Sequence, residues 1–232
     1  MKFIAEIGLN HNGSIGLLIE LIRQASLSGA TMVKFQLGWR DKIGEINYLD
    51  EKSLKLILKA CGYYKVKSLF SIFHKEAWNL LNSVTKPSLV KIASRTYLQE
   101  RDFVKEISKQ VDEIIISTGM SDKDKINFQE FDNAHFLWCE SKYPQYSFDI
   151  EKFPENFNIR NFSGLSDHSL GLSLSFLAIA RGASIIERHF TLDKSDQTIR
   201  DHSLSSTPQE FALLVEEGSA LRNLVNALKK NE

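Results

Sequence analysis

Short apolar runs recur along the chain at fairly even intervals, and most of them are continuous rather than alternating. They are rich in Ile, Val and Phe, which is the pattern of strands that are buried on both faces. The runs are Phe3–Ile7, Thr31–Phe35, Ser68–Ile72, Leu89–Ile92, Glu113–Ile116, Ala134–Trp138, Phe162–Leu165 and Ser184–Ile186. The pattern therefore predicts eight buried strands.

Between most of these runs, apolar residues recur at the spacing of amphipathic helices. Helical stripes lie within 17–22 and 211–224, and a further apolar segment covers 54–58. The stretch 170–179 is apolar almost throughout and predicts a largely buried helix. The segment 149–161 is the weakest element, and we expect its helix to be short or absent.

Strands that alternate with helices pair in parallel through right-handed crossovers. An open, doubly wound sheet has the same alternation, but eight strands in 232 residues favour a closed (β/α)8 TIM barrel. No linker, low-complexity tract or block of charge marks a second domain. We therefore predict a single α/β barrel domain over residues 1–232.

The composition of the chain argues against several classes of function. Lys and Arg together number 29, as do Asp and Glu, so the formal net charge is zero and indicates no binding surface for nucleic acid or anionic membranes. Cys61 and Cys139 are too few for a disulfide framework and are expected in the core. No apolar run resembles a signal peptide or a membrane span. We expect a cytoplasmic protein, for which a small anion is still a possible ligand.

The polar residues that matter most lie at the carboxyl ends of the strands, where a barrel of this kind places its active site. Every predicted strand ends in such residues. In chain order they are Glu6, Asn10, His11 and Asn12; Lys34 and Gln36; Ser71; Lys91 and Ser94; Ser117 and Thr118; Glu140, Ser141 and Tyr143; Ser166, Asp167 and His168; and Glu187, Arg188 and His189.

Two kinds of chemistry fit this set of residues. Lys34 and Lys91, together with several hydroxyl groups, suit a phosphorylated carboxylate because lysines supply charge and hydroxyls supply donors. His168 and His189 follow adjacent strands, so neutral imidazole nitrogens can share a divalent metal there. With few other ligands nearby, that metal would keep open positions for water and substrate, as a catalytic metal must.

Each of these residues also has a structural interpretation. A single Lys or Ser at a strand end is usually solvated, and we assign structural roles to His74, which opens a helix, and to His135, which lies within a strand. Asp167 either orients His168 or caps the helix that follows. The residue types alone leave the functional and structural interpretations open.

Six segments, in order along the chain, resemble the sialic acid synthase family of N-acetylneuraminate and related nonulosonic acid synthases. Each lies at a predicted strand end, and the similarity extends from residue 5 to about residue 204. The segments are AEIGLNHNG (5–13), VKFQ (33–36), KIAS (91–94), STGM (117–120), GLSDHSLG (164–171) and ERHFTLD (187–193).

The resemblance implies that phosphoenolpyruvate condenses with an aldehyde sugar similar to N-acetylmannosamine, giving a sialic-acid-like product and phosphate. It implies a divalent metal on His168 and His189, with manganese as the first choice and magnesium or cobalt as alternatives. Glu6, Glu187 and Lys91 join the two histidines as catalytic residues, with Glu187 the candidate general base. The substrate-binding residues are Lys34, Gln36, Ser71, Ser94, Ser117, Ser141, Tyr143, Ser166 and Asp201, of which Gln36, Tyr143 and Asp201, with Glu6, lie on the sugar side.

The sequence also departs from the family's pattern. Ile72 stands where the family usually has Thr, Arg95 stands in the place of Gly, and Ser141 stands where the family has Asn. Asp201 lies in a segment that resembles the family's GPDH motif, but the loop before it differs. The change at Ile72 removes one hydroxyl that would contact the phosphate.

We expect a barrel without the C-terminal antifreeze-like domain with which typical members cover the acceptor from a partner subunit. Acceptor recognition would then fall to the loops at 37–50 and 193–206. Trp39, Arg40 and Tyr48 would stack on and bond a sugar, unless they pack on the outer helices. A homodimer is compatible with the resemblance.

Two other functions stay open. One is a related aldol-type condensation of phosphoenolpyruvate with another aldehyde acceptor, for example a smaller one. The other is a catalytically inactive barrel that acts as a binding or assembly subunit. The second is disfavoured because Lys34, Lys91, His168 and His189 are all present.

Overall fold

Eight parallel strands pair in chain order and close a barrel in the computed structural model, which describes residues 1–229. The strands are β1 (Lys2–Gly8), β2 (Met32–Leu37), β3 (Lys67–Ile72), β4 (Leu89–Ile92), β5 (Glu113–Ser117), β6 (Ala134–Cys139), β7 (Phe162–Asp167) and β8 (Ile185–His189). β1 pairs with β8, so the sheet has no free edge and the open doubly wound alternative is wrong. The predicted TIM barrel is confirmed, and each apolar run forms a strand.

The barrel interior has an apolar layer toward the amino ends of the strands. It is a separate cluster of buried side chains, with Leu89 packed against it: Ile4, Met32, Leu69, Ile115, Leu137 and Ile185. β7 contributes Gly164 at this level, where an added Cβ would lie 2.0 Å from the Ile185 carbonyl oxygen. Only glycine allows β7 and β8 to approach this closely.

One step of two residues along each strand leads from this apolar layer to a polar layer. Side chains on a strand alternate between faces, so residues two apart share the interior face. The residues one step above the apolar layer are Glu6, Lys34, Ser71, Lys91, Ser117, Cys139, Ser166 and Glu187, and all of them are buried. The fold therefore places eight polar or thiol side chains at one level of the barrel.

Helices cover the outside of the barrel and bury the outward faces of the strands in a large apolar core. They are α1 (Ile15–Leu27), α2 (Glu51–Tyr63), α3 (Lys75–Val84), α4 (Ser94–Gln99), α5 (Arg101–Ser108), α6 (Ser173–Ala180) and α7 (Pro208–Lys229). Side chains cap the first two, because Ser14 accepts from the Leu17 amide and Asp50 from the Ser53 amide.

Two connections differ from the regular alternation. Among the described residues, β5–β6 and β6–β7 contain only the short 3-10 turns Lys123–Lys125 and Ser147–Asp149, so the expected weakness of 149–161 is confirmed. The predicted helix at 170–179 was placed too early, because α6 begins at Ser173. Gly171 has a φ of +74°, which a right-handed helix does not allow, and it holds Leu170 outside the helix and exposed.

The structure also tests several minor predictions. His74 caps α3 by accepting a hydrogen bond from the Ala77 amide, and His135 lies in β6 at 3.3 Å from the Glu113 carboxylate, so both structural assignments are confirmed. No helix among residues 1–229 is long and apolar enough to cross a membrane. The predicted domain extends to residue 232, and its last three residues lie outside the described part.

Candidate active site

A cavity of about 650 Å³ opens at the carboxyl ends of the strands, directly above the polar layer. It is lined by all fourteen residues that the resemblance implied as catalytic, substrate-binding or metal-binding. These are Glu6, Lys34, Gln36, Ser71, Lys91, Ser94, Ser117, Ser141, Tyr143, Ser166, His168, Glu187, His189 and Asp201. Residues from all eight strand ends thus converge on one space.

Lys34 lies between two buried carboxylates at the base of the cavity. Its Nζ is 2.9 Å from Glu187 Oε1 and 3.4 Å from Glu6 Oε2. Ser166 donates a hydrogen bond of 2.8 Å to Glu187, and Gln36 donates one of 2.8 Å to Glu6. The register explains this meeting, because Glu6 pairs with Lys34 across β1–β2, and Ser166 with Glu187 across β7–β8.

The two carboxylates have very different pKa values. Burial raises the pKa of Glu6 to about 6, because Lys34 offsets only part of the cost of removing the charge from water. Burial also acts to raise the pKa of Glu187, but Lys34, Lys91 and the hydrogen bonds outweigh it and hold that pKa at about 2. Glu187 is therefore ionised near neutral pH, whereas Glu6 can exchange a proton, the division expected of an acid–base site.

Lys91 is a buried cation without a carboxylate partner. Its Nζ donates to Ser117 Oγ at 2.6 Å and to the Ile92 carbonyl oxygen at 3.1 Å. In the part of the chain that the structure describes, no carboxylate oxygen lies within 4.0 Å of this Nζ. Burial lowers the pKa of Lys91 to about 8, so at pH 7 it carries a charge that can pair with an anionic ligand.

Lys34 behaves differently because of its partners. Burial acts to lower its pKa, but Glu187 and Glu6 outweigh burial and raise it. The two lysines therefore differ in their surroundings. Lys34 lies between the carboxylates, whereas Lys91 has only hydroxyl and carbonyl partners among the described residues.

His168 and His189 stand beside each other with ring centroids 5.4 Å apart. The Nδ1 of His168 donates to the Glu140 carbonyl oxygen at 2.8 Å, which directs the lone pair of the neutral ring to Nε2. His189 Nδ1 is buried without a hydrogen-bond partner among the described residues, and Asp201 Oδ2 is 3.9 Å from it. Burial lowers the pKa of His189 to about 4, so this ring is neutral.

These two rings fit a shared metal ion but not a closed metal site. One ion with bonds of about 2.0–2.3 Å can reach two rings at this spacing, and the unpartnered His189 nitrogen offers a lone pair. Among residues 1–229, no cluster of three or more His, Cys, Asp or Glu is arranged to hold a metal. An ion held by these two rings would need water or substrate to complete its coordination.

The outer half of the cavity is formed by loops. Tyr143 stacks on His168 with ring centroids 4.2 Å apart, and Arg200 lies 4.4 Å above the Tyr143 ring. Trp39 and Arg40 also line the cavity, so they do not pack only on the outer helices. Tyr48 is half-buried and lies outside the cavity lining, so its predicted contact with a sugar is not supported.

The sequence reasoning missed some lining residues. Cys139 was expected only in the core, but it is buried and also faces the cavity. It lies two residues after Leu137 of the apolar layer, so strand alternation would have identified it. Phe73 and Arg200 were missed as well, and they lie in loops whose path the sequence pattern does not define.

Asp167 takes neither of the two roles that the sequence left open, because α6 has no side-chain cap and none of the hydrogen bonds described for Asp167 goes to His168. It pairs with Arg188 at 2.6 Å and accepts hydrogen bonds from the Ser169 amide and from the Ser175 hydroxyl in α6. Arg188 also donates to the Ser169 and Leu204 carbonyl oxygens. The pair holds the loop that carries His168 and contacts the start of α6.

Comparison with known proteins indicates the same family that the sequence motifs resemble. A family model described as the NeuB family matches residues 42–231. An uncharacterised protein of Methanocaldococcus jannaschii is 33% identical over 91% of this chain and 68% of its own length. The N,N'-diacetyllegionaminic acid synthase of Campylobacter jejuni is 31% identical over 91% of this chain and 73% of its own length.

A solved structure agrees with these relatives. The N-acetylneuraminic acid synthetase of Leptospira borgpetersenii, crystallised with citrate, is 26% identical and superposes with a TM-score of 0.83, covering 96% of this chain and 84% of its own. This chain therefore belongs to the NeuB family of sugar acid synthases.

Proposed function

We propose that this protein condenses phosphoenolpyruvate with an aldehyde sugar, forming a sialic-acid-like nonulosonic acid and releasing phosphate. The observation that carries the proposal is the buried group of two lysines and two carboxylates beside the paired histidines. These residues are Lys34, Lys91, Glu6, Glu187, His168 and His189. A set of buried charges with divided pKa values in a cavity is typical of a catalytic site.

Lys91 is the main contact for phosphoenolpyruvate in this proposal. Its charge has no carboxylate partner within 4.0 Å among the described residues, so a phosphate or carboxylate gains a full charge–charge contact there. Ser94 and Ser117 supply hydroxyl donors from neighbouring strand ends, and Ser166 can add a third if its hydroxyl turns from Glu187 to the substrate. Lys34 would partly exchange Glu187 for the substrate, because both anions compete for the same Nζ.

Glu6 performs the proton transfers in this proposal. Carbon 3 of phosphoenolpyruvate attacks the aldehyde carbon, and the aldehyde oxygen takes a proton as the C–C bond forms. Protonated Glu6 supplies that proton and later accepts one from the water that attacks carbon 2. The C–O bond to phosphate then breaks, the new hydroxyl at carbon 2 becomes the ketone, and its proton leaves with the phosphate. A pKa of about 6 suits both steps, whereas Glu187, with a pKa of about 2, is the weaker base and instead stabilises positive charge.

The proposal includes a divalent metal at His168 and His189, most simply manganese, with magnesium or cobalt as alternatives. When bound, such an ion supplies a Lewis acid for a carbonyl oxygen of the substrate. Glu140 orients the His168 ring through its carbonyl oxygen, and Tyr143 covers that ring from solvent. These contacts hold the His168 imidazole in place.

An assay of phosphoenolpyruvate consumption with manganese and a panel of aldehyde sugars tests the proposal. Consumption must require the aldehyde, because omitting it is the matched control for simple phosphatase activity. Glu6→Gln keeps the hydrogen bond geometry and should reduce the rate by roughly 100-fold or more, the usual contribution of a general acid or base. A protein that binds phosphoenolpyruvate but consumes none with any aldehyde would favour the inactive assembly subunit.

The location and the assembly remain parts of the proposal. Cys61 and Cys139 are free thiols, which suits the reducing cytoplasm, and we propose that location. The homodimer stays a prediction.

A further inference from the structure

The cavity has an excess of positive charge, and the excess lies in its outer half. At the base, the formal charges of Lys34 and Lys91 are equal in number to those of Glu6 and Glu187, although only Lys34 pairs with the carboxylates. Around the opening, the arginines at 40, 95 and 200 face a single lining carboxylate, Asp201. The inner half is thus neutral overall, whereas the outer half carries three cations against one anion.

The three arginines come from three different loops that meet at this opening. Arg40 follows β2, Arg95 lies in the first turn of α4, and Arg200 lies in the connection between β8 and α7. Nearby aromatic rings hold two of them, because Arg95 lies 5.6 Å from the Trp39 centroid and Arg200 lies 4.4 Å from that of Tyr143. Stacking fixes the guanidinium planes without using their N–H donors.

Most of these donors have no acceptor in the structure described. Arg95 donates only from Nε, to Gln99 at 3.0 Å, which leaves both terminal nitrogens available. Arg40 is 3.8 Å from Glu45, and its Nε is buried without a hydrogen-bond partner within residues 1–229. Arg200 bonds weakly to Asp201, at 3.3 Å. A guanidinium group carries five N–H donors, so the opening can still accept an anion.

We propose that Arg40, Arg95 and Arg200 form an anion subsite for a phosphate or carboxylate at the end of the acceptor remote from its aldehyde. Paired N–H donors of arginine match both groups in geometry, whereas a neutral sugar needs no net charge around it. Arg95, on the first turn of α4, adds to this subsite a cation with both terminal nitrogens unpaired among the described residues. The inference rests on the proposed condensation and names its substrate class.

The test compares acceptors that differ only in the anionic group. Phosphoenolpyruvate consumption is measured at saturating phosphoenolpyruvate with N-acetylmannosamine, its 6-phosphate and the corresponding uronic acid. We expect kcat/KM to be about 10-fold or more higher for one anionic acceptor, as a charge-assisted hydrogen bond provides. The phosphate and uronate arms decide which anion is preferred.

Arginine variants then locate the effect. Each single substitution should reduce the preference for the anionic acceptor about 3- to 10-fold, and the effect should appear as a higher KM for that acceptor. The variants are Arg40→Gln, Arg95→Gln and Arg200→Gln. Arg23→Gln is the matched control, because Arg23 is a paired arginine on the outer face of α1, outside the cavity. Equal use of neutral and anionic acceptors overturns the proposal. So does a rise in phosphoenolpyruvate KM of the same size, which would mean that the arginines serve that substrate.

Binding measurements separate this inference from the proposed function. If no aldehyde supports turnover, the condensation fails, but calorimetry with phosphoenolpyruvate present still compares the neutral sugar with its 6-phosphate and uronate. An anionic sugar that binds about 10-fold tighter, and loses this advantage in the arginine variants, supports the subsite. Equal affinity in the wild type rejects it independently of catalysis.

Discussion

Replacing Lys91 with methionine removes a buried charge and keeps most of the side-chain volume. Lys91 is 1% exposed and has hydroxyl and carbonyl partners rather than a carboxylate. If it is the cation that receives phosphoenolpyruvate, the substitution should weaken binding and yet stabilise the fold. A lysine that only supports the structure would give the opposite result.

The binding loss follows from the type of contact. Removing one partner of a desolvated charge pair costs about 2–4 kcal/mol. At 1.4 kcal/mol for each tenfold change, the Kd for phosphoenolpyruvate should rise by about 30- to 700-fold.

The gain in stability follows from the pKa of Lys91. Folding lowers this pKa from 10.5 to about 8, and such a shift costs the charged folded state roughly 3 kcal/mol. Lys91→Met removes this cost but also loses the hydrogen bond to Ser117, which is worth about 1 kcal/mol. The folded variant should therefore be more stable by about 2 kcal/mol, with a Tm that is higher by about 4–8 °C. The full difference is expected below pH 8, and it should shrink as the pH rises toward 10.5, where the unfolded lysine also loses its proton.

Calorimetric titration with phosphoenolpyruvate and thermal unfolding at several pH values measure the two effects. Lys123→Met is the control, since Lys123 is a partly buried lysine that bonds to the Thr118 carbonyl oxygen and lies outside the cavity lining. It should leave phosphoenolpyruvate binding unchanged. Wild-type affinity in Lys91→Met, or a lower Tm with unchanged affinity, would refute the assignment.

Further outcomes are expected at the same site. The kcat/KM for phosphoenolpyruvate should fall above about pH 8 as Lys91 loses its proton. A second transition near pH 6 should be present in the wild-type rate profile and absent in Glu6→Gln. A profile without either transition would exclude both groups from these roles. His168→Ala and His189→Ala should each weaken manganese binding, seen by electron paramagnetic resonance, by about 10-fold or more, and wild-type affinity in both would remove the metal site. Trp39→Ala should raise acceptor KM by about 2- to 10-fold through lost ring contacts, and an effect on phosphoenolpyruvate alone would reassign that ring.

The residues of the polar layer could largely be predicted from the sequence. Strands buried on both faces are recognised by composition, because only continuous Ile, Val and Phe satisfy two apolar surroundings. Once a strand is placed, alternation fixes which residues share a face, so Ile4 and Glu6, or Met32 and Lys34, necessarily line the interior at successive levels. Even Cys139 follows from this rule, although it was assigned to the core alone.

The tertiary structure decided which of these residues interact and how strongly. Lys34 and Glu187 lie 153 positions apart and meet only because β1 closes the barrel against β8. The division of the two carboxylate pKa values depends on burial and on distances of a few ångströms to two lysines, because Coulomb energies vary with separation and local dielectric. The arginines around the opening lie on loops, whose path depends on packing rather than periodicity. Local pattern therefore determined the strands and their inward residues, whereas non-local contacts created the electrostatics of the site.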